Sequence, residues 1–217
     1  MNTEQARFNM IEQQIRTWEV LDPQVLEALA EYRREDFVPP AHRALAFVDT
    51  EVPLPNGRSM LAPKVEARLL QEVGVRRHER VLEVGAGSGY MAALLAHQGQ
   101  QVTTLEIDPE LARFAAENLR RAWVRNVTVI EADASRTLPE GGPFDVIVLS
   151  GSVAEVPRTL LAQLRPGGRL TAIVGQLPIM QAVLMTRSGE QGFASVKLFD
   201  TVAPRLLGFG EPTRFVF

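Results

Sequence analysis

Apolar positions along the chain follow first a helical period, then none, then an alternation of strand-like and helical runs. Between Thr3 and Trp18, Phe8, Ile11, Ile15 and Trp18 recur at three- and four-residue steps, which predicts an amphipathic helix. A second helix is expected to start with Asp22 as N-cap and Pro23 in its first turn, placing Val25, Leu26, Leu29 and Tyr32 on one side. From Arg33 to Pro63 the period is lost, and Phe37-Val38-Pro39-Pro40, Pro53-Leu54-Pro55 and Ala62-Pro63 punctuate the chain. A long irregular segment inside a compact domain is usually functional or poorly ordered. Here Phe47, Val48, Val52, Leu54 and Leu61 predict that it packs.

After Pro63 the pattern is regular. Val65, Leu69, Leu70 and Val73 predict a helix ended by Gly74, and the run from Arg80 to Val84 predicts the first strand of a sheet, followed by a helix from Met91 to Gln98. Strands are expected at Gln101 to Ile107, Val127 to Glu131, Phe144 to Leu149 and Arg169 to Val174, with helices at Leu111 to Ala122 and Val156 to Leu164 between them. The fourth strand is continuously apolar after Asp145, as in strands buried on both faces. This alternation predicts an α/β fold with a doubly wound, mostly parallel, Rossmann-like sheet. Met180 to Arg187 and Phe193 to Phe199, around Ser188-Gly189-Glu190-Gln191-Gly192, read as a C-terminal antiparallel hairpin. No repeat or linker interrupts the chain. Residues 1–217 are therefore expected to form a single domain, with 1–63 as an N-terminal helical cap and substrate loop and 64–217 as the Rossmann-like core.

Composition narrows the chemistry. A formal net charge of -3 over 217 residues gives no general attraction to nucleic acid or an anionic membrane, so both are disfavoured as partners. With no cysteine there can be no disulfide, zinc thiolate or cysteine nucleophile, and the three histidines lack metal-ligand spacing, so no metal is expected. His97, near a helix end, reads as a solvated residue favoured by the helix dipole. The N-terminus has no apolar stretch of the signal-peptide kind and no apolar run is long enough to span a bilayer, which implies a cytoplasmic protein.

The chemistry centres on Val81-Leu82-Glu83-Val84-Gly85-Ala86-Gly87-Ser88-Gly89-Tyr90, where a strand runs into three glycines at alternate positions. A dinucleotide fingerprint needs a third glycine where Tyr90 stands, and a P-loop needs a lysine that is absent, so both phosphate readings weaken. The pattern Glu83-x-Gly85-x-Gly87-x-Gly89 instead resembles motif I of the class I S-adenosyl-L-methionine (AdoMet) methyltransferases, whose loop cradles the methionine end of that cofactor. On this resemblance Glu83, Gly85, Ala86, Gly87, Ser88 and Gly89 are expected at the cofactor. Glu106 and Ile107, at the end of the second strand, are expected at the ribose, where an acid can accept from both hydroxyls. Asp133 and Ala134, after the third strand, are expected at the adenine. Ser150, after the fourth, is expected beside them. The run Ser150-Gly151-Ser152-Val153 is not of the Asn-Pro-Pro-Tyr type that grips an amino group, which disfavours methylation of exocyclic amines.

The N-terminal half carries a more specific resemblance. Met10-Ile11-Glu12-Gln13-Gln14-Ile15-Arg16, Val25-Leu26-Glu27-Ala28-Leu29, Arg34-Glu35-Asp36-Phe37-Val38-Pro39, Ala46-Phe47-Val48-Asp49 and Pro53-Leu54-Pro55 resemble the protein-L-isoaspartate O-methyltransferase family. Pro143-Phe144-Asp145-Val146-Ile147 and Leu164-Arg165-Pro166-Gly167-Gly168-Arg169-Leu170 continue it over nearly the whole chain. The resemblance implies AdoMet-dependent carboxyl O-methylation of isoaspartyl residues in damaged proteins or peptides, that is, protein repair.

One departure stands out. The family carries Gly-Gln-Thr-Ile-Ser-x-Pro where this chain has Gly57-Arg58-Ser59-Met60-Leu61-Ala62-Pro63. Ser59 can replace the threonine, whereas Leu61 takes the position of the serine and offers no hydrogen bond. Arg58, absent from the family motif, is a candidate for binding a carboxylate bidentately or else a loop arginine in solvent. The alternatives are therefore a methyltransferase of this type with a different acceptor, or a non-catalytic AdoMet-binding protein. Oligomeric state is not legible.

Overall fold

The computed structural model describes residues 2–189 and 192–210. Its centre is a seven-stranded sheet of β3 (Arg80–Val84), β4 (Gln101–Glu106), β5 (Val127–Glu131), β6 (Phe144–Val153), β7 (Leu164–Gln176), β8 (Ile179–Arg187) and β9 (Phe193–Thr201), in the order β5-β4-β3-β6-β7-β8-β9. The five strands from β5 to β7 are parallel, and β8 and β9 add antiparallel to the far edge. The mixed sheet and its C-terminal antiparallel strands match the expected fold class. The tip of the β8–β9 hairpin at Glu190 and Gln191 lies outside the described residues.

Central strands are buried on both faces: Val81, Leu82, Val146 and Ile147 are all fully buried. Helices α3 (Pro63–Val73), α4 (Tyr90–Gln98) and α5 (Pro109–Arg121) cover the sheet, and each start is legible in the sequence. Pro63 and Pro109 open α3 and α5, Asp108 caps α5 by accepting from the amides of Glu110 and Leu111, and Gly74 in left-handed conformation ends α3. One hydrophobic cluster joins the N-terminal segment, through Met10, Ile15, Phe37 and Leu61, to Leu94 of α4 and Ala182 of β8.

The N-terminal run departs from a uniform amphipathic helix. It is α-helical only over α1 (Thr3–Met10), widens to a π turn over Ile11–Ile15 and tightens over Arg16–Trp18. A π turn takes more residues per revolution, so the buried stripe rotates. Met10, Ile11 and Ile15 face the core, and Phe8, expected on that face, is 59% exposed. Helix α2 (Pro23–Glu31) starts as expected, with Asp22 accepting from the amide of Gln24.

The proline-rich segment is packed through short turns and the two-stranded hairpin β1 (Val52–Leu54) with β2 (Arg58–Met60), although Val48 is exposed. The helix expected over Val156 to Leu164 contracts to α6 (Arg158–Leu161), because Leu164 already pairs with Phe144 in the sheet. His97 is also placed differently. It packs edge-on to Tyr32 at 5.9 Å, with Nδ1 3.3 Å from Glu31, rather than lying in solvent.

Candidate active site

The parallel strands end at a cleft of about 630 Å³, where open α/β sheets place their ligands. Its floor comes from the glycine loop between β3 and α4. Gly85, Gly87 and Gly89 have φ of 92°, 52° and 82°, a region that L side chains rarely enter. At Gly89 a Cβ would also lie 3.1 Å from the Ala115 carbonyl of α5, so this glycine lets α4 and α5 pack closely. The loop is braced from behind: the amides of Gly85 and Ala86 donate to the Leu105 carbonyl, and the fully buried Asn118 donates to the Ser88 carbonyl at 2.9 Å.

Glu106 closes one side. It is 6% exposed, and its two carboxylate oxygens accept from the amides of Gly87 (2.8 Å) and Asp108 (3.1 Å). Ile107 and Asp108 line the same cleft. Ala134 lines the wall beyond, but the Asp133 side chain turns into its own loop, where it accepts from the amide and hydroxyl of Ser135 and pairs with Arg136 at 3.2 Å. The hydrogen bonds from Ser135 hold the Asp133 carboxyl below its ordinary range.

A smaller cavity of about 270 Å³ shares Leu54, Ser59, Gly85, Gly87 and Ser150 with the main cleft and reaches Glu66 and Glu83. Glu83 is fully buried and accepts hydrogen bonds of 2.6 Å from both Thr104 and Ser150. Ser150 reaches it because the β6–β7 register shifts between Val148 and Ser152, a bulge at the end of the strand. Burial pushes the Glu83 carboxyl up to about 8, against the pull of the two hydroxyls. A carboxyl that is harder to ionise when folded stabilises the fold fully at low pH and loses that contribution as pH rises through 8. Urea midpoints of the ligand-free protein are therefore expected to fall between pH 6 and pH 8.5, and the fall should shrink in Glu83→Gln. An equal fall in that variant would assign the effect elsewhere.

The substrate-loop residues fall on different sides. Ser59 lines both the cleft and the small cavity. Arg58 lines only the cofactor side, where its charge acts on Asp108, and it is partly buried rather than a solvated loop residue. Leu61 is 4% exposed and forms a wall, with the small cavity on one side and an outer groove on the other. That groove also includes Trp18, Glu51, Lys64 and Asp200.

The sequence reading missed the covering segment. After β9 the chain returns over the cleft: Ser152 donates to the Pro204 carbonyl, the Leu206 amide donates to the Ser152 carbonyl, and Leu206, Leu207 and Phe209 line the site. A Cβ on Gly85 would lie 2.6 Å from the Leu206 side chain, so the first glycine is also the seat of this cover. The only signal in the sequence is a short apolar run after Pro204. Among the described residues no group of three or more His, Asp or Glu side chains could hold a metal, and no helix is long and apolar enough to cross a membrane.

These residues fit AdoMet. The glycine cradle, the strand-end carboxylate of Glu106 and the apolar wall suit a nucleoside, and the acid-lined cavity beside them suits an amino-acid end. A family model described as protein-L-isoaspartate(D-aspartate) O-methyltransferase (PCMT) matches residues 5–203. The protein-L-isoaspartate O-methyltransferase of Aeropyrum pernix is 39% identical over 192 residues, 86% of this chain and 74% of that one. That of Koribacter versatilis is 37% identical over 202 residues, 93% and 90% of the two chains. A Plasmodium falciparum structure described as a protein-L-isoaspartate O-methyltransferase with S-adenosyl-L-homocysteine shares the fold, with a TM-score of 0.78 at 21% identity over 95% of this chain and 98% of that one. With the family model spanning most of its length and these relatives aligned over most of theirs, the chain belongs to the protein-L-isoaspartate O-methyltransferase family.

Proposed function

We propose that this protein is an AdoMet-dependent carboxyl O-methyltransferase that methylates isoaspartyl residues in proteins or peptides, the activity for which its relatives are named. The observation that carries the reading is the continuous site itself, from Glu106 through the glycine loop and the small cavity to the wall at Ser59 and Leu61. In its bound state the cofactor supplies an electrophilic methyl group. Glu106 would receive the ribose hydroxyls with Ile107 beside it, Ala134, next to Asp133 in the same loop, the adenine, and the loop from Gly85 to Gly89, with Glu83 and Ser150 behind it, the methionine end. Residues 1–63 and 64–217 are proposed to act as one domain, supported by the core they share.

The acceptor is proposed to approach from the outer groove and reach the methyl group past Ser59 and Leu61. An isoaspartyl carboxylate is ionised at neutral pH, so no residue of the chain has to remove a proton first. Alignment and exclusion of water then become the protein's task. Lys64 lines the groove and provides positive charge there, although Asp49 holds it at 2.6 Å. Ser59 supplies a hydroxyl near Leu61.

The test is incubation with an isoaspartyl peptide and methyl-labelled AdoMet; a base-labile methyl ester supports the reading and its absence overturns it. Leu61→Ser, which restores a hydroxyl at the wall, is expected to raise kcat/KM for that peptide by up to roughly tenfold, since one hydrogen bond contributes about 0.5–1.5 kcal/mol. An unchanged rate would mean that the groove serves another acceptor.

A further inference from the structure

Glu66 lies in the first turn of α3, where an acid ordinarily sits in solvent near the helix N-terminus, yet it is 4% exposed and lines the small cavity together with Glu83. Its partner stands behind the wall. Arg34, fully buried and not part of the cavity lining, pairs with Glu66 Oε2, donates to the Leu61 carbonyl at 2.7 Å and lies over the Tyr90 ring at 5.2 Å. Among the described residues nothing donates to Glu66 Oε1.

The two acids of the cavity are therefore unequal. Both oxygens of Glu83 are already taken by the hydroxyls of Thr104 and Ser150, whereas Glu66 keeps an oxygen for a ligand. Two buried acids facing one cavity disfavour each other's charged form, and the Arg34 guanidinium, placed outside the cavity, pairs with Glu66. Burial pushes both carboxyls up, which is the cost a cation entering the cavity would remove. The ligand assigned to this cavity carries such a group.

The geometry points to Glu66 as the residue that binds the α-ammonium of the methionine end of AdoMet, through Oε1, with Arg34 fixing its other oxygen. The assignment rests on the cofactor reading above. It makes α3 part of the cofactor site and ties that site to the Leu61 carbonyl through one arginine.

Calorimetric titration can test this without turnover, using three ligands. S-adenosyl-L-homocysteine and decarboxylated AdoMet both carry the ammonium, and 5′-methylthioadenosine lacks it. Glu66→Gln is expected to weaken the first two by at least tenfold and the third by less than twofold. If Glu66→Gln does not fold, the paired change Glu66→Leu with Arg34→Met, which removes the buried charges together, is expected to give the same split. Equal weakening of all three ligands, or of none, would overturn the assignment. If the unaltered protein binds none of the three, the cofactor reading itself fails.

Discussion

Glu106→Ala is expected to lower the affinity for S-adenosyl-L-homocysteine by roughly 100-fold, with little change in the thermal midpoint of the ligand-free protein. The side chain accepts from the amides of Gly87 and Asp108 and is proposed to take the ribose hydroxyls as well, so its removal both loosens the glycine loop and deletes a charged acceptor. Hydrogen bonds to a charged group contribute about 1.5–3 kcal/mol each, which one such loss converts to a factor of ten to a hundred or more. Because the ribose is common to all nucleoside ligands, 5′-methylthioadenosine should lose affinity in parallel, unlike in Glu66→Gln. Unchanged affinity in calorimetry would remove Glu106 from the cofactor site.

Arg34→Ala is expected to be the most destabilising of the single changes considered. It strips the paired guanidinium from a buried Glu66, leaves the Leu61 carbonyl without its Arg34 donor and opens space beside Tyr90. Removing one partner of a buried pair generally costs about 3–5 kcal/mol, whereas replacing both partners with apolar residues of similar volume can be near neutral. Urea denaturation should therefore show a large loss in Arg34→Ala and recovery of most of it in Arg34→Met with Glu66→Leu. A loss below about 1 kcal/mol would mean that the Glu66 carboxyl is protonated and needs no partner.

Much of this architecture is local in origin and was legible. Asp22-Pro23 and Asp108-Pro109 announce helix starts because a side-chain acceptor and a fixed φ act within a few residues. The three glycines at alternate positions announce the loop for a similar reason, since their positive φ is a property of the residue type. Phe8 misled because its period is helical while the backbone switches to a π turn three residues later.

The parts that stayed hidden depend on contacts distant in sequence. Arg34 reads as one of several charges in Arg33-Arg34-Glu35-Asp36, and Glu66 as an ordinary first-turn acid; only the fold brings them together, 32 positions apart, beneath the small cavity. Leu206 acquires its meaning by settling on Gly85 after the chain has crossed the whole sheet. The position of Leu61 was visible as a departure from the family motif, but that it separates the small cavity from an outer groove is a property of the assembled wall.

The most direct test of the account is a comparison of two peptides of identical composition, one with an isoaspartyl linkage and one with the normal aspartyl linkage, each incubated with methyl-labelled AdoMet. A base-labile methyl ester is expected on the isoaspartyl peptide and none on its isomer. Cofactor binding without ester on the isoaspartyl peptide, or equal methylation of both, would contradict it.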